Sequence, residues 1–498
     1  MDDETRYAAL AARDRRFDGV FFVAVETTGI YCRPICPART PRRDRCRFYL
    51  RAAEAERDGY RACLRCRPER APRDPLAAAP VDARARLVAH ATAAIDAGAL
   101  HEGSLEHLAT RLGVSARHLR RVMEAELGVS PHAWAETRRL AIAKQLLQDT
   151  ALPITEVALA SGYRSLRRFH AAFSARFGRP PRALRGAEAP RAAPVASEPT
   201  DGFTLRLEYR PPLDWVALLG FLGARAIPGV EAVDGARWTR VVRVGDARGT
   251  IEVEPAPGGA AALEARFSLS LAPRALPLVA RLRALFDLDA HPEVIAAQLA
   301  LDPRLAPLVA ARPGLRVPGA FEPFEVAVRA LLGQQVSVRA ATTLATRLVA
   351  RAGGWVPDAA TLATWPLEDI RALGLPAQRA RALHALALAV ARGDVCLDRG
   401  VDPDATQRAL LTLPGVGPWT ASYVAMRALG WPDALPAGDL VLRQRLELPD
   451  ARAVEARAEA WRPWRAYGVL HLWTAGPPGP APNPSPTPRP RARRRGPS

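Results

Sequence analysis

Four cysteines constrain the folding of this chain more than any other residues. They come as two short arms, Cys32-x3-Cys36 and Cys63-x2-Cys66. Two such arms are the halves of a tetrahedral Zn²⁺ site, and a small hydrophobic domain must fold around the ion for four thiolates to converge. Arg33, Arg39, Arg61, Arg65 and Arg67 lie in or beside the arms, which sets the expected metal against a phosphate-facing surface. From spacing alone, a closed structural staple is the plainer reading. Cys46 and Cys396 lie outside the pattern and read as ordinary thiols.

At 498 residues the chain is too long for one core, and its 49% hydrophobic content suffices for several. The net charge of +19 points to a polyanionic partner, and the motifs below give that partner as double-stranded DNA. Nearly all of the positive charge is arginine, for Lys144 is the only lysine. The start, Met1-Asp2-Asp3-Glu4, lacks the apolar core of a signal peptide. No apolar run approaches the roughly 18–20 residues of a membrane span. A cytoplasmic, monomeric, membrane-free protein is expected, in a reducing compartment that keeps clustered thiols free for metal.

Residues 82–185 read as helical and hold two similar units. In the first, Leu105, Leu108, Ala109 and Leu112 keep helical spacing, Gly113 turns the chain, and Ser115 caps a helix bearing Arg117, Arg120 and Arg121. In the second, Ile154, Val157 and Ala158 lead to Gly162, and Ser165 opens a helix with Arg167 and Arg168 exposed and Phe169, Phe173 and Phe177 on one face. A short helix, a turn and a basic second helix is a helix-turn-helix layout. The region resembles the AraC-type DNA-binding domain along its whole length, including the Phe-Gly-Arg-x-Pro close at 177–181.

The cysteine arms resemble the amino-terminal domain of the Ada adaptive-response regulators over about residues 17–68. That resemblance implies that Cys32 takes a methyl group from a methylated DNA phosphate while Cys36, Cys63 and Cys66 complete the zinc site. It also implies that Thr28, Arg39 and Arg61 touch the backbone. Four thiolates on Zn²⁺ carry a net charge of −2, and methylating one lowers it to −1, so repulsion of DNA weakens and the helix-turn-helix units read out a one-way switch.

In the carboxyl-terminal half, Leu413-Pro414-Gly415-Val416-Gly417-Pro418-Trp419 reads as a helix-hairpin-helix, with Gly415 and Gly417 letting backbone N–H groups approach a phosphate. Asp439 follows. With Leu213-Asp214-Trp215, Leu219-Gly220-Phe221-Leu222 and the run from Phe324 to Gln334, this half resembles the AlkA-type 3-methyladenine DNA glycosylases over about residues 205–473. The resemblance implies a flipped base held by Trp419, Tyr423 and Trp473, with Asp439 catalytic. Bases alkylated at N3 or N7 are cationic, so aromatic faces favour them. Gln335 stands where an apolar wedge can enter the DNA stack in that family, beside Gln334. Glycosylases that also cut the strand commonly use a lysine just past the hairpin; Trp419 stands there, so base removal without cleavage is expected. No Pro-Cys-His-Arg acceptor motif for guanine repair is present.

The expected architecture is multidomain α+β. It comprises a Cys₄ zinc domain (1–78), an all-α double helix-turn-helix domain (82–185), a linker (186–202), an antiparallel β-sheet/α domain (203–290), an all-α helix-hairpin-helix core (291–474) and a Pro/Arg-rich disordered tail (475–498). One Zn²⁺ is expected, with no cofactor for the glycosylase chemistry. The expected function is an alkylation sensor and regulator fused to a monofunctional glycosylase acting on damaged DNA and promoter sites. The alternative is a regulator whose second half only binds DNA.

Overall fold

A computed structural model of the chain describes residues 1–72, 83–185 and 202–475. The expected linker (186–202) lies outside the described residues except for Gly202, which opens a strand; the expected tail (475–498) beyond Ala475 and most of the break after the second cysteine arm also lie outside them.

The zinc domain is a four-stranded sheet in which Phe22–Val25 pairs antiparallel with both Ile30–Cys32 and Cys46–Tyr49, and Ile30–Cys32 pairs parallel with Arg61–Ala62. The sheet carries Cys32 at the end of one strand and delivers Cys63 just past another.

Both helix-turn-helix units form as their caps dictate. Ser104, Ser115 and Ser165 each accept a backbone N–H three residues on, opening helices Leu105–Arg111, Ala116–Leu127 and Leu166–Phe177. Helix Pro131–Asp149 links the units. The turn at Gly162 (φ +83°) runs so close to His101 that a Cβ there would lie 1.5 Å from its Nε2, so only glycine fits. Phe169, Phe173 and Phe177 are buried in one column, with ring centroids 5.5 and 4.5 Å apart.

Residues 202–268 build a five-stranded antiparallel sheet in the order Gly202–Glu208, Ala262–Ser268, Ala247–Pro255, Arg237–Val244, Glu231–Asp234. The remainder is helical. Pro403–Leu411 and Pro418–Arg427 form the hairpin, Leu440–Leu446 follows Asp439, and Arg465–Thr474 carries Trp473. Among the described residues no helix is long and apolar enough to cross a membrane.

These domains are not separate beads. One hydrophobic cluster joins Phe22 and Tyr31 of the zinc domain, Leu140–Leu147 of the linking helix, the phenylalanine column, and Phe203, Leu205 and Trp238 of the five-stranded sheet. The first helix-turn-helix unit keeps its own core around Leu108, Leu119 and Met123.

Candidate functional sites

The sulfur atoms of Cys32, Cys36, Cys63 and Cys66 all lie within 4.8 Å of one another, and all four residues are buried. Four sulfurs at about 2.3 Å from a zinc ion stand roughly 3.8 Å apart, so the cluster fits the tetrahedral ion. Arg33 N–H donates to Cys66 Sγ (3.3 Å). Cys46 is not in the cluster; its thiol donates to Arg42 C=O and burial pushes its pKa up. Burial likewise raises the Cys396 thiol.

The arginines divide into two groups, which corrects the expectation that all five face phosphate. Arg39, Arg61 and Arg65 are exposed, as is Thr28. Arg33 is buried: its guanidinium pairs with Asp18 and Glu208 and donates to Cys66 C=O (3.1 Å). Arg67 pairs with Asp149 of the linking helix (2.7 Å). Lys144, also fully buried, donates to Cys63 C=O (3.1 Å) and pairs with Glu69 (2.7 Å). The second cysteine arm is thus held by ion pairs to the helix-turn-helix domain, and Arg33 ties the first to the five-stranded sheet. Arg117, Arg121, Arg167 and Arg168 are exposed on their helices.

The second site is a cavity of about 580 Å³ lined by Trp419, Tyr423, Trp473, Phe221 and Asp439 among others. Trp419 Nε1 donates to one Asp439 carboxylate oxygen (2.9 Å) and Trp473 Nε1 to the other (3.1 Å), while Leu442 N–H also donates to the carboxylate (3.1 Å). The aspartate therefore caps its helix and is fixed in orientation by two indoles. Trp419 stacks on Tyr423 at 5.1 Å and 14°, and Tyr423 tilts toward Trp473 at 6.2 Å. All three aromatics are half-buried, unlike the core residue Trp461, which is fully buried. Asp433 lies away from this chemistry, paired with Arg465 and Arg462.

Three pocket residues were not legible as such in the sequence. The Arg225 guanidinium lies 3.7 Å from the Phe221 ring centroid; that of Arg427 lies 4.6 Å from Phe221, and Arg427 donates to the Tyr423 hydroxyl (2.7 Å). The usable signal was the aromatic–arginine spacing of four in Phe221/Arg225 and Tyr423/Arg427, which puts each pair on one helix face.

At the hairpin, Gly415 takes φ +75° and Gly417 precedes the helix N-terminus at Pro418 with open space around its α-carbon. Gln334 is turned inward: its Nε2 donates to Gly415 C=O (2.9 Å) and Thr420 Oγ1 (3.0 Å). Arg379 donates to Gln334 C=O (2.6 Å). Gln335 is exposed in the left-handed region at φ +55°, a strained conformation held by those tethers.

Fold and geometry define a class: a zinc-thiolate regulator with paired helix-turn-helix units, joined to a helix-hairpin-helix base-excision glycosylase. Family models match in the same order. The metal-binding domain of Ada matches at residues 5–69 and a helix-turn-helix domain at 108–187. The AlkA N-terminal domain matches at 204–322 and the HhH-GPD superfamily of base excision DNA repair proteins at 328–466. The chain is 40% identical over 486 residues to the "probable bifunctional transcriptional activator/DNA repair enzyme AlkA" of Mycobacterium tuberculosis, covering 95% of this chain and 96% of that one. It is 36% identical to DNA-3-methyladenine glycosylase 2 of Escherichia coli (54% of this chain, 95% of the relative). It is 37% identical to the bifunctional transcriptional activator/DNA repair enzyme Ada of that organism (28% and 37%). The chain belongs to the family of bifunctional Ada/AlkA transcriptional activator and DNA repair enzymes, and its cysteine cluster is an Ada-type zinc site.

Proposed function

We propose that the glycosylase half releases 3-methyladenine- and 7-methylguanine-type bases by hydrolysing the N-glycosylic bond, with Asp439 as the catalytic carboxylate. The observation that carries this reading is a carboxylate clamped by two indole N–H groups at a cavity large enough for a flipped base. The alkylated base is already a good leaving group. Asp439 stabilises positive charge on the sugar or orients the attacking water, while Trp419, Tyr423 and Trp473 hold the base. Gly415 and Gly417 seat a phosphate, and Gln334 positions Gln335 at the DNA stack. The strand stays intact, since the single lysine is buried in an ion pair in another domain.

The zinc half acts once per molecule. A bound zinc ion keeps coordinated thiols deprotonated at neutral pH. Cys32 Sγ attacks the methyl carbon of a phosphotriester: the S–C bond forms, the C–O bond breaks, and its electron pair leaves on the phosphate oxygen as a phosphodiester anion. Cys32 is assigned as the acceptor from its place as the first cysteine of the Ada-type arms. Thr28, Arg39 and Arg61 seat the backbone, and Arg117, Arg121, Arg167 and Arg168 contact promoter DNA. We assign these activities to a cytoplasmic monomer with the six-part division given above. Mass spectrometry after exposure to methylated DNA tests the acceptor: a +14 Da adduct on the peptide bearing Cys32 is expected, and an adduct on Cys36, Cys63 or Cys66 instead would overturn the assignment.

A further inference from the structure

The hairpin of the five-stranded sheet sets two arginines directly against each other. Arg243 of strand Arg237–Val244 is the cross-strand partner of Arg248 in Ala247–Pro255. Like charges in that position destabilise a sheet. The rest of the outer face pairs normally, with Arg237 reaching Glu252 and Glu254, and Arg266 reaching Glu252. Arg243 and Arg248 make no side-chain ion pair within 4 Å among the described residues. Both guanidiniums instead converge on one ring, Trp355, at 5.7 and 5.6 Å from its centroid.

This trio borders a groove of about 620 Å³. The acidic residues lining it are largely committed. Glu322 pairs with Arg281, Glu325 with Arg240, and Asp358 accepts Thr361 N–H (2.7 Å) as a helix cap. Asp246, in the turn, and Asp358, whose carboxyl the Thr361 hydrogen bond and then Arg243 hold below its ordinary value, are the remaining nearby negative charges. Arg240, Phe321, Glu322 and Glu325 line both this groove and the base pocket, so the two cavities stand back to back.

We propose that Arg243, Arg248 and Trp355 form a second nucleic-acid site that takes the phosphate and base of an unpaired nucleotide in a DNA strand. Two guanidinium forks suit a phosphate and an indole face suits a base, a pairing that tolerates any sequence. An anion between the arginines also relieves the repulsion that the sheet carries without it.

The test uses the full, zinc-loaded chain and a thymidine oligonucleotide carrying 5-bromodeoxyuridine. Light-induced cross-linking is expected at Trp355. In R243S/R248S the log–log salt dependence of binding should be shallower by about 0.7, from the one lost single-strand phosphate contact that the two arginines share, with base release unchanged. That variant should melt no lower than wild type, because a repulsive pair is gone. A thymidine monophosphate competitor that displaces the strand would support the same site and mark a free nucleotide as its source. Cross-links that avoid Trp355, together with an unchanged salt slope in a folded R243S/R248S, would overturn the proposal, as would a marked drop in its melting temperature, which would make the pair structural.

Discussion

The two reactive centres are held in opposite ways. Around the cysteine cluster, buried ions do the holding: Arg33 with Asp18 and Glu208, Lys144 with Glu69, and Arg70 with Asp149. Around Asp439 the partners are neutral N–H donors from two indoles and a backbone, beside an open cavity. On the proposed function the zinc centre reacts once and needs no exit for product, so it can be buried in ion pairs that connect it to its neighbours. A centre that turns over needs room for the base to enter and leave. The difference teaches that the zinc site is tied to its neighbours by buried charge, whereas the base pocket, though also lined from the five-stranded sheet by Glu231 and Arg240, holds its carboxylate with neutral donors.

Breaking one centre should therefore spare the other. Cys32→Ser should abolish the methyl adduct completely while leaving base release intact; loss of both would show that the halves are chemically coupled. Next in size, Lys144→Met leaves the buried Glu69 carboxylate with the 3.5 Å Arg67 contact as its remaining ion pair among the described residues, and removing one partner of a buried pair costs at most about 3–5 kcal/mol. Thermal unfolding of the zinc-loaded protein should fall accordingly, with the base pocket of the folded fraction unaffected.

A pH experiment sharpens the contrast from the glycosylase side. Burial pushes His471, two residues before Trp473, from 6.5 down to about 4. The fold accommodates its neutral form, so stability is full above pH 6.5 and is lost as pH falls from 6.5 to about 4. At about 1.4 kcal/mol per pH unit this amounts to roughly 3 kcal/mol. His471→Met should lack that loss, so its stability relative to wild type should rise on acidification across this window; parallel curves would refute the assignment. The smallest effect is Trp473→Phe, which keeps an aromatic ring but removes one donor to Asp439. A hydrogen bond to a charged group is worth about 1.5–3 kcal/mol, so turnover should fall at least about 10-fold, with methyl transfer unchanged.

The features legible in the sequence were those whose partners lie close along the chain. The cysteine arms, the serine caps, the phenylalanine column and the Gly415–Gly417 hairpin each declare themselves through local spacing, and Asp439 through its offset from the hairpin. Arg33 and Arg67 were misread because what buries them comes from afar: Asp18 and Glu208 for one, Asp149 for the other. The same reason hid the shared core. An apolar stripe on helix Pro131–Asp149 says that something covers it, but not that a zinc domain and a β-sheet both do. Lys144 was informative by its rarity, yet its place under Cys63 required three-dimensional structure.

The most direct measurement is chromatography of the bases released from methylated duplex DNA by wild type and by Asp439→Asn. Free 3-methyladenine from wild type, reduced about 10²–10⁴-fold in the variant, is the predicted result. No release from folded, zinc-loaded wild type, or equal release from both proteins, would contradict the account.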